Sequence, residues 1–293
     1  MADKIIRALC LSGGIRILAC SAANLARDVS ALQQPSATAG IALARGLAGG
    51  ALMGALMKSG QRIALKFEGN GPLGKLIVEA DSDGAVCGCL GNPAAEAEPL
   101  DGKWNVAGLI GRAGFLTVSK DIGVGGEPYH GMVQLVSSEV GDDLAYYLTE
   151  SDQIPSAVGL TAALDQNGRI TVCGGFLVQA LPKADDAELE KIMERITKLP
   201  PLPELLNEGG PERVLQELFG DIPFTLLETH ELFFHCGCSR EKVERALITL
   251  GAAELGDMRA RDEGASITCE FCRKSYHFDA EELEQLISKN ATS

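Results

Sequence analysis

The clearest chemical signal is a set of four cysteines near the C-terminus, arranged as two close pairs. One residue separates the first pair, two residues separate the second, and thirty residues lie between the pairs. Zinc in structural sites takes four tetrahedral nitrogen or sulfur donors, and two such pairs joined by a folded insert supply them. We therefore predict one structural Zn²⁺ per chain, with the ligands Cys236, Cys238, Cys269 and Cys272.

Four thiolates around zinc leave no position open for water, so the site is poorly suited to hydrolysis. They suit another use, because zinc holds its ligands as thiolates and oxidants attack the thiolate form. Loss of the metal would remove about 10–16 kcal/mol of apparent binding free energy, which rivals the ~5–15 kcal/mol net stability of a whole domain. The site predicts an oxidation switch, and a purely structural zinc knuckle is the alternative. Nearby histidines are rival ligands, although four cysteines already close the site: His230, His235 and His277.

Two other motifs imitate functional sites. Residues 69–75 fit both G-x-G-x-x-G and G-x-x-x-x-G-K, but a phosphate loop must lead into a helix. The next residues read as a strand, and Leu76 stands where Ser or Thr would hold magnesium, so we predict a hairpin loop. Cys87 and Cys89 share one face of a strand with no second pair nearby, which favours buried thiols. The remaining cysteines are predicted core residues: Cys10, Cys20 and Cys173.

The composition argues against several classes of protein. The chain has 293 residues and a net charge of −14, whereas phosphate backbones are bound by basic surfaces, so we expect no nucleic-acid partner. Nine cysteines is an odd number, which fits reduced thiols in the cytoplasm better than a secreted disulfide framework. Residues 17–20 resemble the end of a lipoprotein signal, but Arg16 interrupts the apolar stretch that a signal requires. The longest apolar run, residues 46–57, falls short of the ~20 residues of a membrane helix, so we expect no membrane partner.

Hydrophobic periodicity predicts an α+β fold for residues 1–180, a domain of mixed sheet and helix. Residues 1 to about 60 read as helical, and residues 61–181 read as short strands separated by Gly, Asn and Pro. A helix is expected around Leu144 and Leu148, and a hairpin turns at residues 167–168. The strand candidates are residues 63–67, 76–79, 115–118, 132–136, 160–164 and 169–172.

The segment from 181 to 230 carries five basic and eleven acidic side chains. It predicts an amphipathic helix over residues 184–199, stopped by prolines, and a second helix over residues 212–219. A narrow apolar stripe on so acidic a segment has little stability alone, so this helical linker must lie against something. The rest of the chain, residues 231–293, is predicted to be a small zinc-binding domain with helices at residues 240–250 and 280–289.

The motif and its surroundings resemble the redox-regulated heat shock protein 33 family, also called the 33 kDa chaperonin. The strongest match runs through residues 234–241, 246–247, 250–251, 269–272 and 276–278. Residues 147–155 are similar to the family's Tyr…Ser-Glu-Gln-Ile-Pro signature. The resemblance covers essentially the whole chain in order. The chain departs from the family pattern at Gly237, where Asp or Asn is commoner, at Asp152, which replaces Glu, and at Cys87 and Cys89, which stand where Arg and Tyr are expected. None of these removes a metal ligand, but the last two add thiols that could also oxidise.

The resemblance implies an ATP-independent chaperone of the stress response, not an enzyme, that is inactive when reduced and zinc-bound. Oxidation would form a Cys236–Cys238 and a Cys269–Cys272 disulfide, release zinc, destabilise the linker and expose a surface for unfolded or aggregation-prone clients. The active form would be a cytoplasmic homodimer. By this resemblance, residues 1–180 would bind clients and dimerise, residues 181–230 would form a metastable linker, and residues 231–293 would sense oxidation.

The residues themselves leave two other functions open. A thiol–disulfide oxidoreductase could use Cys269 and Cys272, although such enzymes usually keep this pair at a helix N-terminus in a βαβ setting. A zinc-knuckle adaptor could bind RNA or protein constitutively, although the charge argues against RNA.

Overall fold

A computed structural model describes residues 2–123, 128–260 and 264–290, and its contacts separate Met1–His235 from Cys236–Ser293. The elements of the first unit are β1 (Lys4–Cys10), β2 (Ile15–Ser21), α1 (Ala23–Gln33), α2 (Ala37–Gly54), β3 (Arg62–Gly69), β4 (Lys75–Asp81), β5 (Ala85–Leu90), α3 (Val106–Ile110), β6 (Gly114–Asp121), β7 (Tyr129–Gln134), α4 (Val140–Glu150), β8 (Ser156–Leu164), β9 (Ile170–Ala180), α5 (Asp186–Thr197), α6 (Leu202–Phe219), β10 (Phe224–Glu231) and β11 (Phe233–Phe234). Those of the second unit are α7 (Arg240–Leu250), α8 (Ala252–Arg259), β12 (Ala265–Thr268), β13 (Ser275–Phe278) and α9 (Ala280–Asn290). The predicted α+β class is confirmed.

Two sheets form the framework of the first unit. The first has the strand order β10-β1-β2-β9-β8 and is antiparallel throughout. The second has the order β11-β5-β4-β3-β6-β7 and is antiparallel except where β11 joins β5. The β8–β9 hairpin confirms the predicted turn, with Gly168 at φ +75°. Residues 70–74 join β3 to β4, so the glycine-rich motif is a hairpin loop and leads into a strand, as expected.

Helix α2 lies between the two sheets and is buried along nearly its whole length. Its small residues let neighbouring elements approach closely, because a Cβ at Gly50 would stand 2.4 Å from Val78 of β4 and one at Gly49 would stand 2.7 Å from Leu144 of α4. The apolar run that is too short for a membrane span therefore belongs to an interior helix. Within the described ranges, no helix is long and apolar enough to cross a bilayer.

The other face of the first sheet is covered by α5 and α6. Ile17 of β2 and Val178 of β9 pack in one apolar cluster with Ile192 of α5 and Leu215 of α6. The acidic segment therefore lies against an apolar sheet face, as its sequence requires. Helix α5 is the more weakly packed of the two, since Ile192 is its one fully buried residue and Leu189 and Ile196 are only partly buried.

Helix α6 is bent in the middle, at two glycines. Gly209 and Gly210 have non-helical dihedrals, and the second half of the helix begins at Pro211. The predicted helix over residues 212–219 is this second half. The sequence analysis predicts no helix for the first half, because prolines at 200, 201 and 203 end the preceding helix. Proline is nevertheless well suited to a first helical turn, and Pro203 lies in the first turn of α6.

The prediction that residues 1 to about 60 are helical is wrong for the first third of that span, which forms β1 and β2. These strands are buried on both faces. Ile5 and Leu18 pack toward α2, whereas Ile6 and Ile17 pack toward α6. A strand buried on both faces has no polar alternation, so its apolar run cannot be told from a buried helix by periodicity.

The segment 181–230 is also not entirely helical. It ends in β10, which pairs with β1 as an edge strand and carries a bulge opposite Arg7 and Ala8. The segment belongs to the same unit as the two sheets, and the boundary between the units falls after His235. Its start is held at Gly14, whose carbonyl accepts the Leu181 N–H at 2.8 Å.

Candidate metal centre

The second unit is built around a hairpin and three helices. Strands β12 and β13 pair antiparallel, and Cys269 and Cys272 lie in the turn that joins them. Arg273 closes this turn with φ +59°, and its N–H donates to the Cys269 carbonyl at 3.0 Å. The small core comprises Leu247, Leu255, Ala265, Tyr276, Phe278, Leu283 and Leu286.

The first cysteine pair directly precedes α7. Ser239 caps that helix, with its hydroxyl accepting the Lys242 N–H, and the Lys242 ammonium donates to the Gly237 carbonyl at 2.6 Å. Arg240 fixes the start of α7 to β13, because its guanidinium donates to the His277 carbonyl at 2.9 Å and lies 4.2 Å from the Phe278 ring centroid. These contacts hold the Cys236 and Cys238 loop beside the hairpin.

The four predicted ligands come together. The sulfurs of Cys236, Cys238, Cys269 and Cys272 all lie within 4.8 Å of one another. The Cys236 and Cys269 sulfurs are 3.7 Å apart, and those of Cys238 and Cys272 are 3.3 Å apart. Sulfurs bound at ~2.3 Å to one tetrahedral zinc stand about 3.8 Å apart, whereas a disulfide brings them to ~2.05 Å. The donor set and its spacing therefore fit zinc, and all four thiols are free.

Electrostatics makes a cation necessary if all four sulfurs are to ionise. Desolvation raises the pKa of the Cys236 thiol, and the neighbouring sulfurs raise it further. Desolvation acts in the same direction on Cys238, but hydrogen bonds from Tyr276 and the other three cysteines together outweigh it and lower that pKa to about 7. Four anionic sulfurs at this distance repel one another, so a bound cation is the condition for full deprotonation.

The rival histidines do not join the cluster. Within the described ranges, the group that could hold a metal contains these four cysteines and no histidine. His230 lies on β10, where its Nε2 is 3.6 Å from Glu228. His277 is exposed on β13.

The other five cysteines are buried, as predicted. Cys87 and Cys89 lie on β5, and Cys10, Cys20 and Cys173 lie on the strands of the first sheet. Burial raises the pKa of Cys20 to about 12. That thiol stays protonated at neutral pH and is a poor target for oxidants.

Sequence reasoning did not assign a role to Tyr276. Its hydroxyl lies 3.1 Å from the Cys238 sulfur and its side chain is 6% exposed. The hydrogen bond to Cys238 and desolvation raise the pKa of the phenol to about 12. The position of Tyr276 just after Cys272, on the strand that leaves the second cysteine pair, places it near the site in the sequence. Its contact with Cys238 depends on where the first cysteine pair packs against the hairpin, which the sequence does not show.

The surroundings of Cys269 and Cys272 differ from those of an oxidoreductase. The pair occupies a turn between two strands, and no helix begins at it. The helix N-terminus that lowers the pKa of the attacking cysteine in thioredoxin-like enzymes is therefore missing from this turn.

Comparison with known proteins gives one consistent result. A family model described as Hsp33 protein matches residues 3–279. A protein named 33 kDa chaperonin from Pelobacter propionicus is 65% identical over 286 residues, covering 98% of this chain and 94% of the relative. The protein of the same name from Geobacter sulfurreducens is 52% identical, covering 97% and 94%. A crystal structure of the 33 kDa chaperonin (heat shock protein 33 homolog) from Thermotoga maritima is 33% identical, covers 100% of both chains and superposes with a TM-score of 0.89.

Proposed function

The chain belongs to the Hsp33 family of chaperones, and we propose that it is a redox-regulated, ATP-independent holdase of the cytoplasm. In this proposal the reduced protein holds one Zn²⁺ on its four clustered cysteines and is inactive. Oxidation releases the metal, unfolds the second unit and loosens the helices that cover the first sheet. The uncovered surface then binds unfolding proteins, and the active form is a homodimer.

The cluster of four sulfurs is the observation that carries this proposal. A zinc ion bound there would supply charge neutralisation and most of the folding free energy of the second unit. The core of that unit is small, with seven buried side chains among its described residues, and structural zinc contributes about 10–16 kcal/mol in such domains. The fold of the tail should therefore depend on the metal.

Peroxide is a sufficient oxidant for the switch. A thiolate sulfur attacks one peroxide oxygen, the O–O bond breaks, and a sulfenic acid forms as hydroxide leaves. A neighbouring thiolate then attacks the sulfenic sulfur, the S–O bond breaks, and a disulfide forms. Two sulfurs lose two electrons, and with two protons the peroxide becomes two waters. We propose the pairs Cys236–Cys238 and Cys269–Cys272 from the resemblance to the family, although the 3.7 Å and 3.3 Å sulfur contacts join one knuckle to the other.

The segment from α5 to α6 is the proposed moving part. It is acidic, it covers an apolar sheet face, and α5 is held there by one fully buried side chain. Release would uncover apolar residues of β2 and β9, while the charges of the released segment keep the opened protein soluble. Large exposed apolar surfaces bind partners or aggregate, and chaperoning uses the first property.

The decisive experiment follows zinc, thiols and activity together. Reduced full-length protein is treated with peroxide under mild heat, zinc release is read with a chromogenic chelator, and disulfide pairs are mapped by mass spectrometry. In parallel, light scattering follows the aggregation of a heat-denatured client. We expect release of one zinc per chain, loss of four thiols and suppression of aggregation to occur together.

A matched variant isolates the role of the metal cluster. Cys272→Ser removes one ligand at a partly exposed position, whereas Cys10→Ser changes a buried cysteine of the first sheet. We expect the first variant to lose zinc and to suppress aggregation without oxidant, and the second to behave as the parent if it folds. Reduced parent protein without stoichiometric zinc, or zinc loss without any gain in activity, would refute the proposal.

A further inference from the structure

We infer that the Tyr276 hydroxyl is a positioning group for the metal centre, which holds the Cys238 sulfur in place and slows its attack on oxidants. This inference rests on the proposed zinc switch. It makes the Tyr276 side chain one of the groups that determine how fast the switch responds to oxidants.

The geometry joins two distant parts of the chain. Tyr276 stands on β13 opposite Ile267, on the hairpin whose turn contains the second cysteine pair. Its hydroxyl lies 3.1 Å from the sulfur of Cys238, which belongs to the first pair, 38 residues earlier. The hydrogen bond therefore ties one knuckle to the hairpin that carries the other.

The direction of this hydrogen bond follows from the chemistry of a metal-bound cysteine. A ligating sulfur is a thiolate and has no proton to give, so the phenol must be the donor. In the described part of the tail, Cys238 is the sulfur that has a side-chain hydroxyl partner. Cys236 and Cys272 accept backbone N–H groups instead, from Cys238 and Lys274. The Tyr276 donor can be removed by mutation, whereas the backbone donors cannot.

A donor to a thiolate has two effects. It draws electron density from the sulfur, which lowers its nucleophilicity toward an electrophilic oxidant, and it reduces repulsion among four anionic sulfurs. Partners of this kind around metal ligands typically change metal affinity or activity by about 10–100-fold when they are removed. Tyr276 should therefore make the reduced state both tighter for zinc and slower to oxidise.

The ring of Tyr276 has a separate, packing role. It belongs to the small core of the second unit, and the Lys274 ammonium lies 5.1 Å from its centroid. Tyr276→Phe keeps the ring and the contact with Lys274, and removes the hydroxyl alone. The matched control is Tyr146→Phe, at a partly exposed position on α4 in the first unit.

The test uses the reduced, zinc-loaded full chain. Zinc affinity is measured by competition with a chelator, and the rate of zinc release is measured at fixed peroxide. For Tyr276→Phe we expect affinity to fall by about 10–100-fold and release to be correspondingly faster, with no change for Tyr146→Phe. In the cobalt-substituted proteins, the sulfur-to-cobalt charge-transfer band should move to lower energy in Tyr276→Phe, because a sulfur without its donor gives up an electron more easily.

A second variant keeps the inference open to refutation if Tyr276→Phe folds poorly. With 3-fluorotyrosine at position 276 the hydroxyl is a stronger donor of similar size, so release should slow and the charge-transfer band should move to higher energy. A packing role predicts no such opposite shift. Parent-like zinc affinity, release rate and spectra in both variants would overturn this inference while leaving the zinc switch intact. Failure of the parent protein to bind zinc would instead remove the proposed function itself.

Discussion

Truncation of Ile192 tests whether α5 is the weak point of the first unit. Ile192 is fully buried in the cluster beneath α5 and α6, and its neighbours Leu189 and Ile196 are partly buried there. If α5 opens before the rest of the unit, Ile192→Ala should favour the opened state of this helix and leave the sheet beneath it folded.

The expected free-energy cost of Ile192→Ala follows from the atoms that the substitution removes. Ile→Ala deletes three carbons, which at about 0.8 kcal/mol each amounts to about 2.4 kcal/mol of burial. The cavity left behind adds to this, so that such substitutions cost about 2–5 kcal/mol in measured cases. Since 1.4 kcal/mol is a factor of ten, the opened population of α5 should rise by about 50-fold or more.

Hydrogen exchange read by mass spectrometry can locate this opening. In reduced, zinc-loaded protein, peptides covering residues 186–197 should exchange about 50-fold faster in Ile192→Ala, while peptides of β2 and β9 stay protected. Met193→Ala is the control, because it shortens the adjacent side chain of the same helix at a position that is 49% exposed. Light scattering with a denatured client should reveal some activity of Ile192→Ala without oxidant.

Two results would refute this reasoning. If α5 exchanges no faster in Ile192→Ala than in Met193→Ala, the helix is held by something other than its buried side chain. If β2 and β9 lose protection by the same factor as α5, the unit opens as a whole and no separate moving part exists.

Three further predictions concern other groups. Asp221→Asn removes the partner of Arg195 and Lys191 at the end of α6, so exchange in α5 should quicken in low salt by less than in Ile192→Ala; equal exchange in both proteins would exclude an electrostatic clasp. Iodoacetamide applied to zinc-stripped native protein should label four cysteines quickly, while the five buried ones (Cys10, Cys20, Cys87, Cys89 and Cys173) remain slow; rapid labelling of Cys87 or Cys89 would contradict this. Desolvation raises the pKa of Asp143 in the folded state, although the Ser137 and Val136 N–H groups oppose it. Its contribution to stability is therefore full below the ordinary aspartate pKa and is lost as pH rises through the raised value. In urea unfolding from about pH 4 to pH 7, the parent should lose stability relative to Asp143→Asn, and a pH-independent difference would refute the sign.

The metal centre could be predicted from sequence because its geometry is local. Each knuckle brings its two cysteines together within a few residues, so spacing alone identifies the donors. The fit of the whole set is decided by the hairpin β12–β13 and the start of α7, which place the four sulfurs within 4.8 Å. The contact of Tyr276 with Cys238 spans 38 residues, and no local pattern contains it.

The errors in the predicted fold also arise where the structure depends on contacts between distant parts of the chain. In exposed strands and amphipathic helices, hydrophobic residues repeat with a regular period that the sequence shows. Helix α7 is such a case, and its predicted bounds agree with the observed Arg240–Leu250. Strands β1 and β2 are covered on both sides, so they carry no alternation. Strand β10 has mostly exposed side chains and owes its conformation to pairing with β1. That pairing joins residues more than two hundred positions apart, which periodicity cannot detect.

The edge position of β10 affects how the chaperone would return to its inactive state, with the segment covering the sheet again. Residues 181–223 are bracketed by β9 and β10, two strands of one sheet with β1 and β2 between them. At ~4.8 Å per strand, the two attachment points are about 14 Å apart. A detached segment would thus be a closed loop of about forty residues, whose closure entropy grows slowly with length. Rebinding of the segment to the sheet would be an intramolecular step, independent of protein concentration. The tethered segment would therefore compete with bound client for the same sheet face through its high local concentration.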